Sequence, residues 1–175
     1  MFKNYKYLIM SAASIFGLFS CAQLPKGAQA VDQFNAQQYL GKWYEIARFD
    51  FRFERNLNNT TATYSLNDDA TIKVINKGYN YVKKELSQAE GKAKFVGEKT
   101  TASLKVSFFG PFYGAYNVIA LDKDYKYALV VGKNTDYMWI LSRETTIPSE
   151  IKSEYVNLAK SLGFDTEQLI WVEHE

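Results

Sequence analysis

The sequence is poor in the residues that usually build a chemical site. It contains one cysteine, one histidine and three prolines in 175 residues. A single cysteine excludes an internal disulfide and any zinc site built from several thiolates. The histidine, His174, is next to last in the chain, so we expect it to be part of a solvated end. The sequence therefore predicts no metal site, no cofactor and no catalytic histidine.

The chain also has little excess of charge of one sign. The chain has 21 basic and 19 acidic residues, a net charge of +2, and no block of lysines and arginines. This balance argues against a nucleic-acid partner. Aromatic residues are abundant at 16%, with 13 tyrosines and 12 phenylalanines. Many aromatics and few prolines favour β-strands.

The first residues have the pattern of an export signal. Lys3 and Lys6 precede an apolar run from Tyr7 to Phe19, which is 13 residues long. A membrane-spanning helix needs about 20 residues, so this run is typical of a secretory signal. Leu18-Phe19-Ser20-Cys21 then resembles the bacterial lipobox, which implies cleavage after residue 20 and acylation of Cys21. An ordinary signal peptide with an incidental cysteine is the alternative.

The residues that follow Cys21 are expected to be a tether. Residues 21–33 are small and polar and contain no apolar pattern of their own. Ala22, and not aspartate, follows the cysteine, which in such lipoproteins implies sorting to the outer membrane. We therefore predict a signal peptide at 1–20, a lipidated tether at 21–33 and one folded domain at 34–175.

Short runs with alternating apolar residues fill most of that domain. Turn-forming clusters such as Asn67-Asp68-Asp69 separate them. The eight predicted strands are residues 43–53, 59–66, 71–77, 88–96, 102–108, 115–121, 127–131 and 137–143. A helix capped by Ser149 and ended by Gly163 follows, then a short strand at 168–172. The predicted fold class is all-β, an eight-stranded antiparallel up-and-down β-barrel with a C-terminal α-helix and a short final strand.

Several motifs resemble those of the lipocalin family. Gly41-Lys42-Trp43 on the first strand matches its Gly-x-Trp signature, and Tyr-Glu-Ile-Ala follows directly. Asp122, after the sixth strand, and Arg143, at the end of the eighth, match the second and third signatures. The resemblance covers residues 34–173 and lies within a bacterial outer-membrane lipoprotein subgroup. It implies structural roles for Gly41, Trp43, Asp122 and Arg143, with Trp43 plugging the closed end beneath Arg143.

Strand parity and the resemblance together predict an apolar interior. The same parity also points Ala120 inward. Small residues at several inward positions predict a hollow barrel, and a barrel packed solid with its own side chains is the alternative. The predicted ligand-binding residues are Tyr64, Asn76, Gly91, Ala93, Val106, Phe108, Tyr116, Val118 and Trp139.

The expected function is that of a lipid-binding lipoprotein. A hollow apolar barrel suits a single-chain lipid, either a fatty acid or a lysophospholipid, stored or transported in maintenance of the cell envelope. We expect it on the outer membrane through acylated Cys21, most simply on the periplasmic face. An envelope lipoprotein with a structural or interaction role is the alternative, and a homodimer is possible. Because no carboxylate pair has a recognisable spacing on inward strands, we do not expect an enzyme.

Overall fold

The strands predicted from the alternating side chains form one closed sheet. The computed structural model describes residues 23–175. Its eight main strands are β1 (Gly41–Arg48), β2 (Leu57–Leu66), β3 (Ile72–Asn80), β4 (Glu85–Phe95), β5 (Ser103–Phe109), β6 (Phe112–Leu121), β7 (Tyr127–Val131) and β8 (Met138–Ser142). Consecutive strands pair antiparallel, and β1 pairs with both β8 and β2. The predicted up-and-down barrel is confirmed.

The strands that face the open end differ most from the predicted bounds. β1 ends at Arg48 and not at Phe53, because the chain turns inward there to begin the β1–β2 loop. The β3–β4 and β5–β6 hairpins are longer than expected, since backbone pairing continues to Asn80 with Glu85 and to Phe109 with Phe112. These two hairpins carry apolar side chains beyond the barrel wall.

Two further elements pack on the outside of the wall. Helix α2 (Ser149–Ser161) buries Tyr155 and Ala159 against the outer side chains of β7 and β8. Its N-cap is Pro148, and Ser149, the expected cap, is already the first helical residue. The two-residue strand β9 (Ile170–Trp171) pairs with β1, which confirms the predicted final strand. No helix among residues 23–175 is long and apolar enough to cross a membrane.

The chain between Gln23 and the barrel is docked and is not a free tether. The amide of Val31 donates to the carbonyl of Val118 at 2.9 Å, and its carbonyl accepts from the amide of Ala102 at 2.9 Å. Leu24 packs in the outer apolar cluster. The expectation of a coreless tether is therefore wrong for residues 23–33, because two apolar side chains and backbone hydrogen bonds fix them. A short helix, α1 (Ala36–Tyr39), then leads into β1.

The carboxyl end is also docked, contrary to expectation. The Nε2 atom of His174 lies 2.8 Å from the carbonyl oxygen of Glu45, and its ring packs edge-on against Tyr44. The amide of Asn59 donates to the carbonyl of Glu173 at 2.9 Å. His174 thus helps to hold the chain end beside β1 and β2, because the end of β1 has no β2 partner of its own.

Candidate ligand-binding cavity

One tryptophan closes the floor of the barrel. Trp43 is fully buried and donates from Nε1 to the carbonyl of Tyr39 at 2.8 Å. The guanidinium of Arg143 lies 3.9 Å from its ring centroid, a cation–π geometry. Arg143 also donates to the carbonyls of Lys42 and Leu40 at 2.8 and 2.9 Å. The two side chains therefore tie the segment before β1 to the end of β8.

Gly41 and Asp122 shape the backbone around this floor. Gly41 has φ +95°, and a Cβ there would lie 3.3 Å from Nη1 of Arg143. A side chain at this position would both strain the backbone and press on the arginine. Asp122 accepts backbone N–H bonds from Lys126 and Tyr127, both at 2.6 Å, and so fixes the β6–β7 turn.

Above the floor the barrel is hollow. A cavity of about 850 Å³ opens at the end formed by the β1–β2, β3–β4, β5–β6 and β7–β8 connections. Pockets for small ligands commonly measure about 300–1,000 Å³. The cavity walls are mostly apolar, and the polar side chains among the lining residues include tyrosines, Asn76, Glu45 and Glu54, with Lys77 and Lys133 among those at the mouth. The barrel is therefore not packed solid with its own side chains.

Seven of the nine residues proposed for the binding site line this cavity. They are Tyr64, Asn76, Ala93, Val106, Phe108, Tyr116 and Trp139. Gly91 does not, because Phe108 covers it: a Cβ at Gly91 would lie 2.8 Å from the Phe108 ring. Val118 does not either, since it is fully buried in the core below the cavity. Gly91 thus makes room for Phe108 and not directly for a ligand.

A β-bulge changes the predicted facing of one further residue. The register between β6 and β7 shifts between Val118 and Ala120, so that Val118 pairs with Val130 and Ala120 with Leu129. Leu129 and Ala120 both pack outside the barrel, near helix α2. The inward orientation predicted for Ala120 is therefore wrong, because one extra residue reverses the alternation after the bulge.

Three tyrosine hydroxyls meet at the bottom of the cavity. The Tyr116 hydroxyl is 2.8 Å from that of Tyr39 and 2.8 Å from that of Tyr64. Burial raises the pKa of all three phenols above the ordinary value of 10, so they remain protonated at neutral pH. The cavity bottom is therefore uncharged, with a small polar cluster within an aromatic floor.

A buried ion pair lies on the β1 wall of the cavity. Nη1 of Arg48 is 2.9 Å from Oε1 of Glu45, and Thr60 donates to the same oxygen at 3.1 Å. Arg48 also donates from Nη2 to the carbonyls of Glu54 and Leu57, at 2.8 and 3.0 Å. Glu45 and Arg48 are 6% and 1% exposed, so the pair is shielded from water. It fixes the start and the end of the β1–β2 loop.

The side chain of Glu54 reaches from this loop back into the barrel. Its Oε2 accepts from Nε1 of Trp139 at 3.1 Å, and Trp139 packs against Phe51. Burial, together with the charge of nearby Glu54, raises the pKa of Glu45 to about 8, although Arg48 opposes the change. Burial likewise raises the pKa of Glu54. Burial therefore disfavours the negatively charged form of both carboxyl groups on this wall.

The raised pKa of Glu45 predicts a stability that depends on pH. Between the ordinary pKa of 4.5 and about 8, the folded chain holds a proton that the unfolded chain has lost. Stability contributed by this proton is complete below 4.5 and disappears as pH rises through 8. We expect up to about 1.4 kcal/mol per pH unit, or roughly 3–5 °C of Tm between pH 6 and pH 7.

Thermal melts of wild type and Glu45→Gln across this pH range measure the effect. Glutamine retains an oxygen for Arg48 and Thr60 but cannot titrate, so the slope should flatten in the variant. Equal slopes in the two proteins would contradict the raised pKa of Glu45.

The sequence-based prediction missed these carboxyl groups. Glu45 lies two residues after Trp43 on β1, so strand parity alone could have placed it inside the barrel. Arg48 could not be placed in this way, because a register shift between Glu45 and Ala47 changes the parity. Glu54 belongs to a loop and has no periodicity. Within residues 23–175, no group of three or more His, Cys, Asp or Glu side chains is placed to hold a metal ion.

A closed antiparallel barrel with a plugged floor, one open end and an apolar interior defines a protein that encloses small apolar molecules. Residues 34–174 match the Lipocalin-like domain family. Together with the relatives below, this match shows that the chain belongs to the lipocalin family. The sequence therefore predicted the family correctly.

Relatives over nearly the whole length support this assignment. The chain is 54% identical over 168 residues to Outer membrane lipoprotein Blc of Escherichia coli, with 95% of each chain covered. It is 45% identical to Outer membrane lipoprotein Blc of Vibrio cholerae, over 97% of this chain and 98% of the relative. Apolipoprotein D of Mus musculus is 32% identical, with 93% and 92% covered.

Solved structures share the fold at much lower identity. Per a 4, a major allergen from cockroaches, superposes with a TM-score of 0.67 at 16% identity and covers 87% of this chain and 96% of its own. Insecticyanin from the tobacco hornworm Manduca sexta gives 0.67 at 19% identity, with 85% of each chain covered. These similarities support the barrel fold alone.

Proposed function

We propose that the barrel binds single-chain lipids, fatty acids or lysophospholipids, and stores or transports them at the outer membrane. The observation that carries this proposal is the cavity of about 850 Å³, with apolar walls and one open end. Relatives named outer membrane lipoproteins, 54% and 45% identical, support the location. An envelope role with a filled barrel loses its basis, since the interior is hollow.

The energetics favour a single hydrocarbon chain. Each methylene removed from water contributes roughly 0.8 kcal/mol, so a dozen contribute about 10 kcal/mol. Association and ordering oppose this with some 4–15 kcal/mol. The balance is compatible with affinity in the micromolar range for one chain. Two chains would have to share the same cavity, so a diacyl phospholipid should bind less well.

The charge distribution favours a ligand whose chain points to the floor. An anionic group is disfavoured at the depth of Glu45 and Glu54, because burial there already disfavours negative charge on both carboxyl groups. At the mouth, by contrast, the exposed Lys77 and Lys133 border the cavity. They can pair with a carboxylate or phosphate. A headgroup at the mouth and a hydrocarbon tail above Trp43 satisfy both conditions.

We propose that the two carboxyl groups position the β1–β2 loop beside the cavity and take no part in a chemical reaction. Oε1 of Glu45 already accepts from Arg48 and Thr60, and Oε2 of Glu54 accepts from Trp139. These bonds hold the β1–β2 loop against the wall.

Solvent extraction tests the proposed ligand class directly. Protein purified from its membrane without added lipid should release single-chain lipid into organic solvent, in an amount close to one molecule per barrel. Extraction of denatured and refolded protein provides the blank. A preparation that releases only the diacyl lipids of the surrounding membrane would contradict the proposal.

Membrane attachment is a separate part of the proposal and rests on Cys21, which lies outside the described residues. Cys21→Ser removes the acylated thiol, so the protein should move from the outer-membrane fraction to the soluble fraction. Its Tm should remain within about 1 °C, because stability is set by the barrel core. Cell fractionation and thermal melts measure both. Full recovery of Cys21→Ser with outer membranes would reject the anchor. The periplasmic face and a homodimer remain predictions.

A further inference from the structure

Apolar side chains are exposed mainly at the open end of the barrel. Phe53, Val82, Leu86, Phe109 and Phe112 are between 62% and 86% exposed. They belong to the β1–β2 loop and to the long β3–β4 and β5–β6 hairpins. Near the closed end, the one exposed large apolar side chain among residues 23–175 is that of Leu66, which is 49% exposed. Exposed apolar side chains gathered at one end of a barrel in this way mark an interaction surface.

Basic side chains accompany this rim. Lys83 and Lys84 follow Val82 in the β3–β4 turn, and both are exposed. Arg52, which is also exposed, lies 5.9 Å from the ring centroid of Phe53 in the β1–β2 loop. An aromatic ring beside basic side chains is a combination that binds at a lipid headgroup layer. The rim therefore complements a phospholipid surface better than an apolar protein surface.

The amino-terminal segment reaches the barrel close to the same end. Nδ2 of Asn117 donates to the carbonyl of Gln23 at 3.0 Å and lies 3.5 Å from the carbonyl of Gly132. Gly132 follows the open-end terminus of β7, and both Gln23 and Gly132 border the cavity. Two peptide units connect Gln23 to Cys21, and they span at most about 7 Å. An acyl anchor on Cys21 would therefore begin beside the mouth.

We propose that the open end of the barrel docks onto the phospholipid bilayer that carries the acyl anchor, so that the cavity opens toward the lipid. The rim defined by Phe53, Val82, Leu86, Phe109 and Phe112 enters the headgroup layer, and Lys83 and Lys84 contact lipid phosphates. This inference rests on the proposed anchor at Cys21. Single-chain lipid then passes between bilayer and cavity without crossing water.

A site-specific label tests the orientation. With Cys21 acylated as proposed, Val82→Cys and Lys123→Cys each provide one free thiol, at the rim and in the exposed β6–β7 turn of the closed end. Each full-length lipoprotein is labelled with an environment-sensitive dye in vesicles of phosphatidylethanolamine with a minor share of phosphatidylglycerol. A lipid-borne quencher should quench the dye at residue 82 and leave the dye at residue 123 unquenched.

Three results would overturn the docking. Equal quenching at both positions means no preferred orientation, and stronger quenching at residue 123 means the opposite one. The third result is a dye at residue 82 that lipid does not quench, together with crosslinking of two copies of the chain. It would mean that the rim is a self-association surface. If Cys21 were not acylated, the result would differ from all three, because the protein would not float with the vesicles at all.

The rate of lipid uptake gives a second, independent measurement. Val82→Ser combined with Leu86→Ser removes two rim side chains that do not line the cavity, and Leu66→Ser is the matched change at the closed end. Uptake of a fluorescent lysophospholipid from vesicles should slow by about fivefold or more in the rim variant and stay unchanged in Leu66→Ser. Affinity for the same lipid dispersed as monomer should not change in either.

Uptake from vesicles at the wild-type rate in the rim variant would reject the docking while leaving the lipid-binding proposal intact. Loss of monomer binding in wild type would reject the proposed function instead.

Discussion

Replacing Trp43 by alanine is expected to lower the free energy of unfolding by about 3–5 kcal/mol. The side chain is fully buried, packs 4.8 Å from the Tyr39 ring and supports the guanidinium of Arg143 at 3.9 Å. Its removal leaves a void at the floor and deprives the arginine of its aromatic contact. A domain of this size has only about 5–15 kcal/mol of stability, so the Tm should fall by roughly 6–20 °C.

Trp171→Ala is the matched control for this experiment. Trp171 is 39% exposed on β9, where Lys152 lies 3.7 Å from its ring centroid. Loss of such an exposed contact should cost about 1 kcal/mol or less. Thermal melts of the anchor-free barrel compare the two variants. If Trp43→Ala melted within a few degrees of Trp171→Ala, the floor would not depend on Trp43.

The difference between these two tryptophans illustrates what the sequence could predict. Gly41, Trp43 and Arg143 stand in motifs whose spacing is independent of the ligand, and their contacts follow from strand register. Alternation along β2, β3 and β5 also placed Tyr64, Asn76 and Val106 correctly in the cavity lining. Regular strands keep the parity of their side chains, so the sequence was sufficient wherever the strands are regular.

Irregular backbone limited the prediction. The bulge after Val118 turned Ala120 outward, and the register shift after Glu45 brought Arg48 inward. Neither shift has a marker such as glycine at the affected positions. Gly91 shows a second limit: a small residue predicted space for a ligand, but the ring of Phe108 fills that space. The pattern along one strand does not reveal which neighbour occupies the room that it leaves.

Loops and chain ends were predicted least well. The β1–β2 loop folds inward because Arg48 binds the carbonyls of Glu54 and Leu57, contacts that no periodicity encodes. Docking of residues 23–33 depends on Leu24 and Val31, two apolar residues without helical or strand spacing. The proposed orientation on the membrane depends on that same segment, so it could be reached only from the three-dimensional structure.

Filling the cavity with one side chain should weaken lipid binding while leaving the fold intact. Ala89 on β4 is half-buried, faces Asn76 across the sheet and lines the cavity. Ala89→Phe places a ring where two or three methylenes of a ligand would lie. At roughly 0.8 kcal/mol for each methylene, affinity for a fatty acid or lysophospholipid should fall by about 15- to 60-fold.

The titration can be followed by tryptophan fluorescence, because Trp139 lines the cavity whereas Trp43 and Trp171 do not. Glu90→Phe is the control: it adds the same ring on the outer face of β4 and breaks only the exposed pair between Glu90 and Lys73, which contributes little to stability. Affinity should be unchanged in Glu90→Phe, and the Tm of both variants should stay close to that of wild type. Gly91→Leu is not suitable, since it would displace Phe108 and destabilise the barrel. Equal lipid affinity in Ala89→Phe and Glu90→Phe would show that the ligand binds outside the cavity, and the proposed function would then be wrong.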